Sequence, residues 1–209
     1  TVLRLLSEAD TPMLVVSEES GRIMLGEAPE HICVLDPVDG SFNAAHGIPV
    51  YSISIAFARY KPSATLQDIE FGLVKNLATG EVFEAKQGKK STCDGKNIST
   101  SQRENLGEST FCVYLQKNIG EIRLLQKLKG VRALGSVALE LCYAARGDYE
   151  GLLDLRRCLR NIDVAAGKLI LEEAGGVVSD EFGKALKTDI HKVNTLSIVA
   201  SANKKLHKK

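Results

Sequence analysis

The chain has 209 residues, enough for one large domain or two small fused halves with a substantial buried core. Its 27 lysines and arginines nearly balance 26 aspartates and glutamates, and a formal charge of +1 gives no general field for nucleic acid or an acidic membrane. The apolar stretches are far shorter than the roughly 20 residues of a spanning helix, and no signal-peptide pattern is present. We therefore predict a cytoplasmic protein without nucleic-acid or membrane partners.

Short apolar strands alternate with helical stretches, which predicts a mixed α/β chain of the α+β type. The sequence gives strands at 14–17, 32–35, 48–58, 70–76, 82–85, 109–115, 131–134, 177–178 and 196–201, and helices at 120–128, 137–145 and 162–174. Turns are expected at 78–81 and 94–97. Ser136 and Asn161 are the expected N-caps of the two later helices.

The five cysteines are widely spaced, odd in number and mostly set among apolar residues; they are Cys33, Cys93, Cys112, Cys142 and Cys158. This pattern disfavours a disulfide framework or a zinc knuckle. We expect buried, reduced thiols.

Two aspartates and a glycine turn follow the second expected strand, in the run Asp-Pro-Val-Asp-Gly-Ser at residues 36–41. The strand end delivers Asp36, the proline sets the backbone angle, and Asp39 returns on the same side, so two hard oxygen ligands converge. Gly40 allows a close approach to an anion, and the amides of Gly40 and Ser41 complement phosphate. The run predicts a metal ion beside a phosphate, although an ordinary tight turn uses the same residue types.

Further carboxylates are needed, because Mg²⁺ prefers near-octahedral oxygen coordination and two ions can clamp the attacking and leaving oxygens of a phosphate ester. Glu18 and Glu19 follow the first expected strand. Asp163 lies in the first turn of the last long helix, whose N-terminus favours an ionised carboxylate. Taken alone, the glutamate pair is better explained as a solvated acidic loop and Asp163 as a charge that complements the helix dipole.

Residues 36–43, Asp-Pro-Val-Asp-Gly-Ser-Phe-Asn, resemble the signature of the inositol monophosphatase superfamily, which includes archaeal-type fructose-1,6-bisphosphatases. Two further motifs occur in the family's order: the Glu-Glu pair upstream, and Asp-Val-Ala-Ala-Gly at 163–167 followed by Glu-Ala-Gly-Gly at 173–176. The resemblance covers almost the entire chain. It implies one unit over residues 1–209 with the layered α-β-α-β-α sandwich of the sugar phosphatases.

Carried over to this chain, the resemblance implies a metal site formed by side chains and one backbone carbonyl: Glu19, Asp36, Asp39, Asp163 and the carbonyl of Val38. Two or three Mg²⁺ ions are expected, with Mn²⁺ as a substitute. Gly40 and Ser41 are expected to hold phosphate, and the Ser41 hydroxyl to orient the water that attacks in line. The implied catalytic residues are Glu19, Asp36, Asp39, Ser41 and Asp163. His46 is expected to pack in the turn rather than act as a base.

The resemblance places the non-phosphate part of the substrate at Gly135, Ser136 and Val137. The acidic residue of inositol-type members falls on Asp154 when counted from Gly135, and the position is Arg156 when counted back from Asp163. A cluster of Asp154, Arg156, Arg157 and Arg160 offers a guanidinium to a second phosphate, and a solvated basic loop is the plain alternative. Fructose-1,6-bisphosphate, with or without inositol-1-phosphate, is the favoured substrate. NADP and 3'-phosphonucleotides stay open.

Family members normally begin with roughly sixty more residues, a length consistent with the size of such domains. The resemblance therefore implies that part of the first helical layer is missing, together with an aspartate that partners the signature serine. An exposed apolar face there would favour a homodimer. We expect residues 1–100 to form the metal and phosphate half, and 101–209 to form the substrate half with the last metal ligand. A metal- and phosphate-binding module with little activity is the alternative to an enzyme.

Overall fold

The computed structural model of the chain describes residues 2–8, 11–115, 123 and 125–209. In this part the helices are α1 (Val2–Glu8), α2 (Ser41–Ala45), α3 (Val137–Arg146), α4 (Asn161–Glu173) and α5 (Lys204–His207). Short 3₁₀ turns occur at Leu66–Asp68 and Leu106–Glu108. Of the helix expected at 120–128, residues 120–122 and 124 lie outside the described residues; 123 and 125 are helical, whereas 126–128 form a turn and bend.

The first sheet has eight strands in the order β2-β1-β3-β4-β5-β6-β7-β8. They are β1 (Met13–Ser17), β2 (Gly21–Leu25), β3 (His31–Asp39), β4 (Ser52–Arg59), β5 (Ile69–Asn76), β6 (Val82–Lys86), β7 (Thr92–Cys93) and β8 (Lys96–Asn97). β1 and β3 are parallel, and the other neighbouring strands of this sheet pair antiparallel. Parallel β1 and β3 end at the same edge, which brings the turn at 18–20 and the signature run to one side.

The second sheet has five strands in the order β10-β9-β11-β13-β12. They are β9 (Thr110–Tyr114), β10 (Gly130–Arg132), β11 (Gly151–Arg160), β12 (Val177–Ser179) and β13 (Thr195–Ser201). β9 is parallel to β10 and β11, whereas β13 is antiparallel to β11 and β12.

Helices α3 and α4 lie between the two sheets and carry the main hydrophobic core. A Cβ on Gly72 of β5 would stand 2.9 Å from the backbone oxygen of Ala166, so α4 approaches the first sheet at backbone distance. A second cluster joins α1 to the outer face of the first sheet, and a third joins Leu206 of α5 to the outer face of the second. The result is the predicted α-β-α-β-α order of layers.

The structure corrects several local predictions. β2 and the ten-residue β11 are strands that the sequence analysis missed. β11 contains the arginines for which a solvated loop was the alternative, and the expected strand 48–58 begins only at Ser52. The N-cap of α4 is Arg160, while the Asn161 amide donates to the carbonyls of Asp189 and Lys192. All five cysteines are free, but Cys158 is exposed and Cys93 only half-buried. Within the described residues, no helix is long and apolar enough to cross a membrane.

Candidate active site

Three buried carboxylates meet at the edge of the first sheet. Asp36 and Asp39 come from the end of β3 and Asp163 from the first turn of α4, and each offers an oxygen within 4.8 Å of the others. In a regular strand, residues 36 and 39 would face opposite sides of the sheet. The pairing of β3 with β4 shifts register between these two residues, and this irregularity brings both side chains together.

The fold disfavours negative charge on Asp36 and Asp39. Burial, followed by repulsion from Asp163, raises the pKa of Asp36 from 3.8 to about 7. Burial raises the pKa of Asp39 to about 8, although the Ser136 hydroxyl opposes the rise. The Oδ2 atom of Asp36 is buried without a hydrogen-bond partner in the described part of the chain. An orphaned oxygen within a group of hard oxygen donors fits a divalent cation.

The second half of the chain holds Asp39 in place. The Ser136 hydroxyl donates to Asp39 Oδ2 at 2.6 Å, and the backbone amide of Ala138 donates to the same atom at 2.8 Å. Ser136 does occupy the N-cap position of α3, as predicted, but its side chain makes no capping bond there. Its hydroxyl donates to Asp39 instead of capping the helix.

Close backbone packing forms the turn after Asp39. Gly40 has φ +86°, and a Cβ there would stand 2.9 Å from the carbonyl oxygen of Val50. The buried Asn43 amide donates to the carbonyls of Val50 and Leu134, both at 2.7 Å. Ser41 is exposed and begins α2, whose first backbone amides have no partner within the helix.

A cleft of about 460 Å³ opens beside the carboxylates. It is lined by Asp39, Gly40, Ser41, Phe42, Tyr114, Gly135, Val137, Arg156, Cys158, Leu159, Arg160 and Asp163. The structure therefore gathers most of the predicted site residues around one space. A larger cavity of about 880 Å³ lies elsewhere, by the loop 180–188, and shares no lining residue with the cleft.

Asp154 and Arg156 lie at different depths in β11. Asp154 is fully buried in β11, and its carboxylate accepts from Arg156 Nε at 3.1 Å and Nη2 at 2.6 Å. The Arg156 guanidinium lies 4.4 Å from the centre of the Tyr114 ring and lines the cleft. Arg156 thus presents a cation to the cleft, and Asp154 orients it from behind.

Tyr114 and Glu140, which the sequence analysis did not single out, support the side of the cleft formed by Gly135 and Arg156. The Tyr114 hydroxyl donates to Glu140 Oε1 at 2.8 Å and accepts from the Gly135 amide at 2.8 Å. The buried Glu140 also accepts from the Leu134 amide at 2.6 Å. Its signal in the sequence was a single acidic residue inside the apolar helix Val137–Arg146.

Of the other predicted residues, Arg160 contacts the three-carboxylate group, whereas Arg157 and Glu19 do not take part in it. Arg160 contacts the carboxylates of Asp163, at 2.9 Å, and of Glu18. Arg157 is exposed and pairs with Glu181. Glu19 is exposed in the turn after β1 and is not part of the three-carboxylate group in this structure.

His46 follows α2 and also lies outside the three-carboxylate group. Its ring stacks on Phe42 at 4.1 Å, and its Nδ1 lies 2.8 Å from the Phe42 carbonyl oxygen. These local contacts agree with the expectation that His46 packs in the turn.

A layered sandwich with a buried carboxylate group beside an anion-accessible turn defines a candidate centre for metal-dependent phosphate chemistry. The family model described as the inositol monophosphatase family matches residues 6–209. The chain belongs to this family. It is a metal-dependent phosphatase with a small phosphorylated substrate, and the predicted family and fold are confirmed.

Individual relatives agree with that assignment. A fructose-1,6-bisphosphatase/inositol-1-monophosphatase of Methanothermobacter thermautotrophicus is 38% identical over 98% of this chain and 76% of its own length. A bifunctional NADP phosphatase/NAD kinase of Methanococcus maripaludis is 34% identical over 94% of this chain and 38% of its own length. The solved structure of a Pyrococcus horikoshii protein with similarities to inositol-1 monophosphatase superposes with a TM-score of 0.85 at 30% identity, covering 99% of this chain and 78% of that one.

Proposed function

We propose that the chain is a Mg²⁺-dependent hydrolase of small phosphomonoesters, with fructose-1,6-bisphosphate as the favoured substrate and inositol-1-phosphate as the second. The observation that carries the preference is Arg156. Its guanidinium is held by Asp154 and Tyr114 and lines the same cleft as Asp39 and Asp163. A cleft of about 460 Å³ is of the size that takes a small metabolite. A second phosphate would meet this preorganised guanidinium.

The proposed metal ligands are the side chains of Asp36, Asp39 and Asp163, with Glu19 and the carbonyl of Val38 completing the set. Their all-oxygen chemistry suits Mg²⁺, with Mn²⁺ as a substitute, and the family resemblance implies two or three ions. Divalent ions bound there supply an activated water and stabilise the leaving oxygen.

The substrate residues divide between two walls of the cleft. The backbone amides of Gly40 and Ser41 bind the reacting phosphate, and the Ser41 hydroxyl orients the attacking water. Gly135 and Val137 form the wall beside the sugar or inositol ring, and the fully buried Ser136 between them holds Asp39 from behind that wall. The hydrogen bonds from Asn43 to Leu134 and Val50 support both walls at once.

A second candidate substrate is NADP, because the cleft carries an exposed aromatic ring. Phe42 lines the cleft with 67% of its surface accessible and stacks on His46. An exposed ring of this kind can stack on a nucleobase. The name of the Methanococcus maripaludis relative includes an NADP phosphatase activity.

Phosphate release from fructose-1,6-bisphosphate, inositol-1-phosphate and NADP, each with and without Mg²⁺, tests the proposal. We expect Mg²⁺-dependent release that Asp36→Asn abolishes. Arg156→Ala should raise KM for the bisphosphate at least about tenfold and leave inositol-1-phosphate unaffected, because only the bisphosphate loses a charge-assisted contact. The matched control is Arg157→Ala, whose guanidinium pairs with Glu181 outside the cleft.

Three outcomes would each contradict part of the proposal. Equal KM effects of Arg156→Ala on both substrates would remove the argument for a second phosphate, and preferential NADP hydrolysis would favour the nucleotide reading. A folded chain that binds Mg²⁺ without turnover would favour the binding module. The functional halves 1–100 and 101–209, the homodimer and the cytoplasmic location stay predictions.

A further inference from the structure

Arg160 links the strand that borders the cleft to the helix that supplies the last carboxylate. It is the final residue of β11 and the N-cap of α4. Its backbone amide donates to Asp163 Oδ2 at 3.0 Å. The position of Arg160 is therefore coupled to that of Asp163 through the backbone as well as the side chain.

The Arg160 guanidinium contacts three carboxylates at the same time. Nη2 donates to Asp163 Oδ1 at 2.9 Å, while Nε is shared between both Asp163 oxygens at 3.2 Å. Nη2 also lies 3.6 Å from the orphaned Oδ2 of Asp36. On its other side, Nη1 forms an ion pair with Glu18.

These contacts occupy oxygens that a metal ion would use. A carboxylate has about four lone-pair positions, and three of the positions on Asp163 accept from Arg160: from its backbone N–H, its Nε and its Nη2. A dication close to a guanidinium is also repelled, and repulsion between partly buried charges is weakly screened. Metal binding at Asp163 must therefore displace the guanidinium or work against its charge.

Resting on the proposed metal site, we propose that Arg160 is a built-in counter-cation that competes with the metal for Asp163 and Asp36. It neutralises these carboxylates when no metal is bound, and so it weakens metal affinity while stabilising the metal-free fold. When the metal binds Asp163, the ion pair with Glu18 holds the displaced guanidinium at the edge of the site. In this role Arg160 is a positioning residue that sets the concentration of metal at which the site fills.

The opposite role has a different signature. If Arg160 only oriented Asp163 for the metal, its removal would loosen a ligand and weaken metal binding. Competition predicts tighter binding, so the direction of the change in Kd decides between the two roles.

Calorimetric titration of Mg²⁺ into the metal-free chain tests the proposal, with wild type, Arg160→Gln, Arg160→Lys and Arg157→Gln compared at pH 8.5. At this alkaline pH few protons are available to bind the carboxylates that the guanidinium no longer neutralises. We expect Arg160→Gln to lower the Kd for Mg²⁺ about tenfold or more and to lower the Tm of the metal-free chain, with saturating Mg²⁺ restoring it. Arg160→Lys should fall between wild type and Arg160→Gln, because an ammonium lacks the planar fork. Arg157→Gln removes the same charge from a residue three positions earlier in β11 and should change neither quantity.

An unchanged or higher Kd in Arg160→Gln would overturn the competition. If Arg160→Gln does not fold without metal, Arg160→Lys decides by the same criterion. Absence of Mg²⁺ binding to wild type would instead refute the proposed metal site, so the two failures are distinguishable.

Discussion

The charge on Asp39 should make the metal-free chain less stable as the pH rises, and Asp39→Asn should remove that dependence. Asp39 is 6% exposed, and burial raises its pKa from 3.8 to about 8. Between these two values the folded chain holds a proton that the unfolded chain has lost. Stability is therefore lost as the pH climbs from about 4 through about 8.

The size of the effect follows from the pKa values. Each pKa unit corresponds to about 1.4 kcal/mol, so a rise from 3.8 to about 8 sets an upper bound of about 6 kcal/mol. Near pH 5 only the first part of this loss has occurred, because the unfolded chain is ionised while the fold still holds its proton, so the variant and the wild type should differ least at this end of the range. At pH 9 the variant should be more stable by about 2 kcal/mol or more. The same change should abolish Mg²⁺-dependent turnover.

Urea unfolding of both chains in EDTA, at intervals from pH 5 to pH 9, measures this difference. The control is Asp68→Asn, for which the change in the free energy of unfolding at high pH should have the opposite sign. Burial opposes the charge of Asp68, but hydrogen bonds from Lys61 and Thr65 outweigh it and hold its pKa below 3.8. Asp68→Asn should therefore lose stability at pH 9. A difference between Asp39→Asn and wild type that does not grow with pH would refute the reasoning.

Two further predictions concern packing and ligand support. Gly72→Ala should destabilise the fold by roughly 1–3 kcal/mol, because its Cβ would meet the Ala166 backbone at 2.9 Å, whereas Gly107→Ala, with 3.6 Å to its nearest atom, should have little effect in urea unfolding. Ser136→Ala removes the hydroxyl that favours the ionised form of Asp39, so it should weaken Mg²⁺ affinity at pH 7 by roughly tenfold, as measured by calorimetry. Unchanged affinity would show that the Ala138 amide alone suffices.

The sequence predicted the parts of this fold that depend on local pattern. Apolar runs bounded by turn residues identified most strands of the first sheet, because a buried strand needs continuous apolar residues whatever its neighbours are. The signature run predicted that the carboxylates of Asp36 and Asp39 converge for a similar reason, since the turn that brings them together needs its own proline and glycine. The missed β11 shows the limit of local pattern: its arginines and Asp154 lack apolar periodicity, and their strand conformation depends on pairing with β9 and β13.

The tertiary structure decided how the distant residues act together. Nothing near Ser136 in the chain shows that its hydroxyl meets Asp39 rather than its own helix, because the two residues are 97 positions apart. Likewise, only the folded chain places Arg160 among the carboxylates of Asp163, Asp36 and Glu18. Arg157, three residues earlier, pairs with Glu181 instead. Sequence patterns carry local propensity and the chemistry of each residue. The contacts that raise a pKa or pair a charge depend on burial and long-range approach, which exist only in the folded chain.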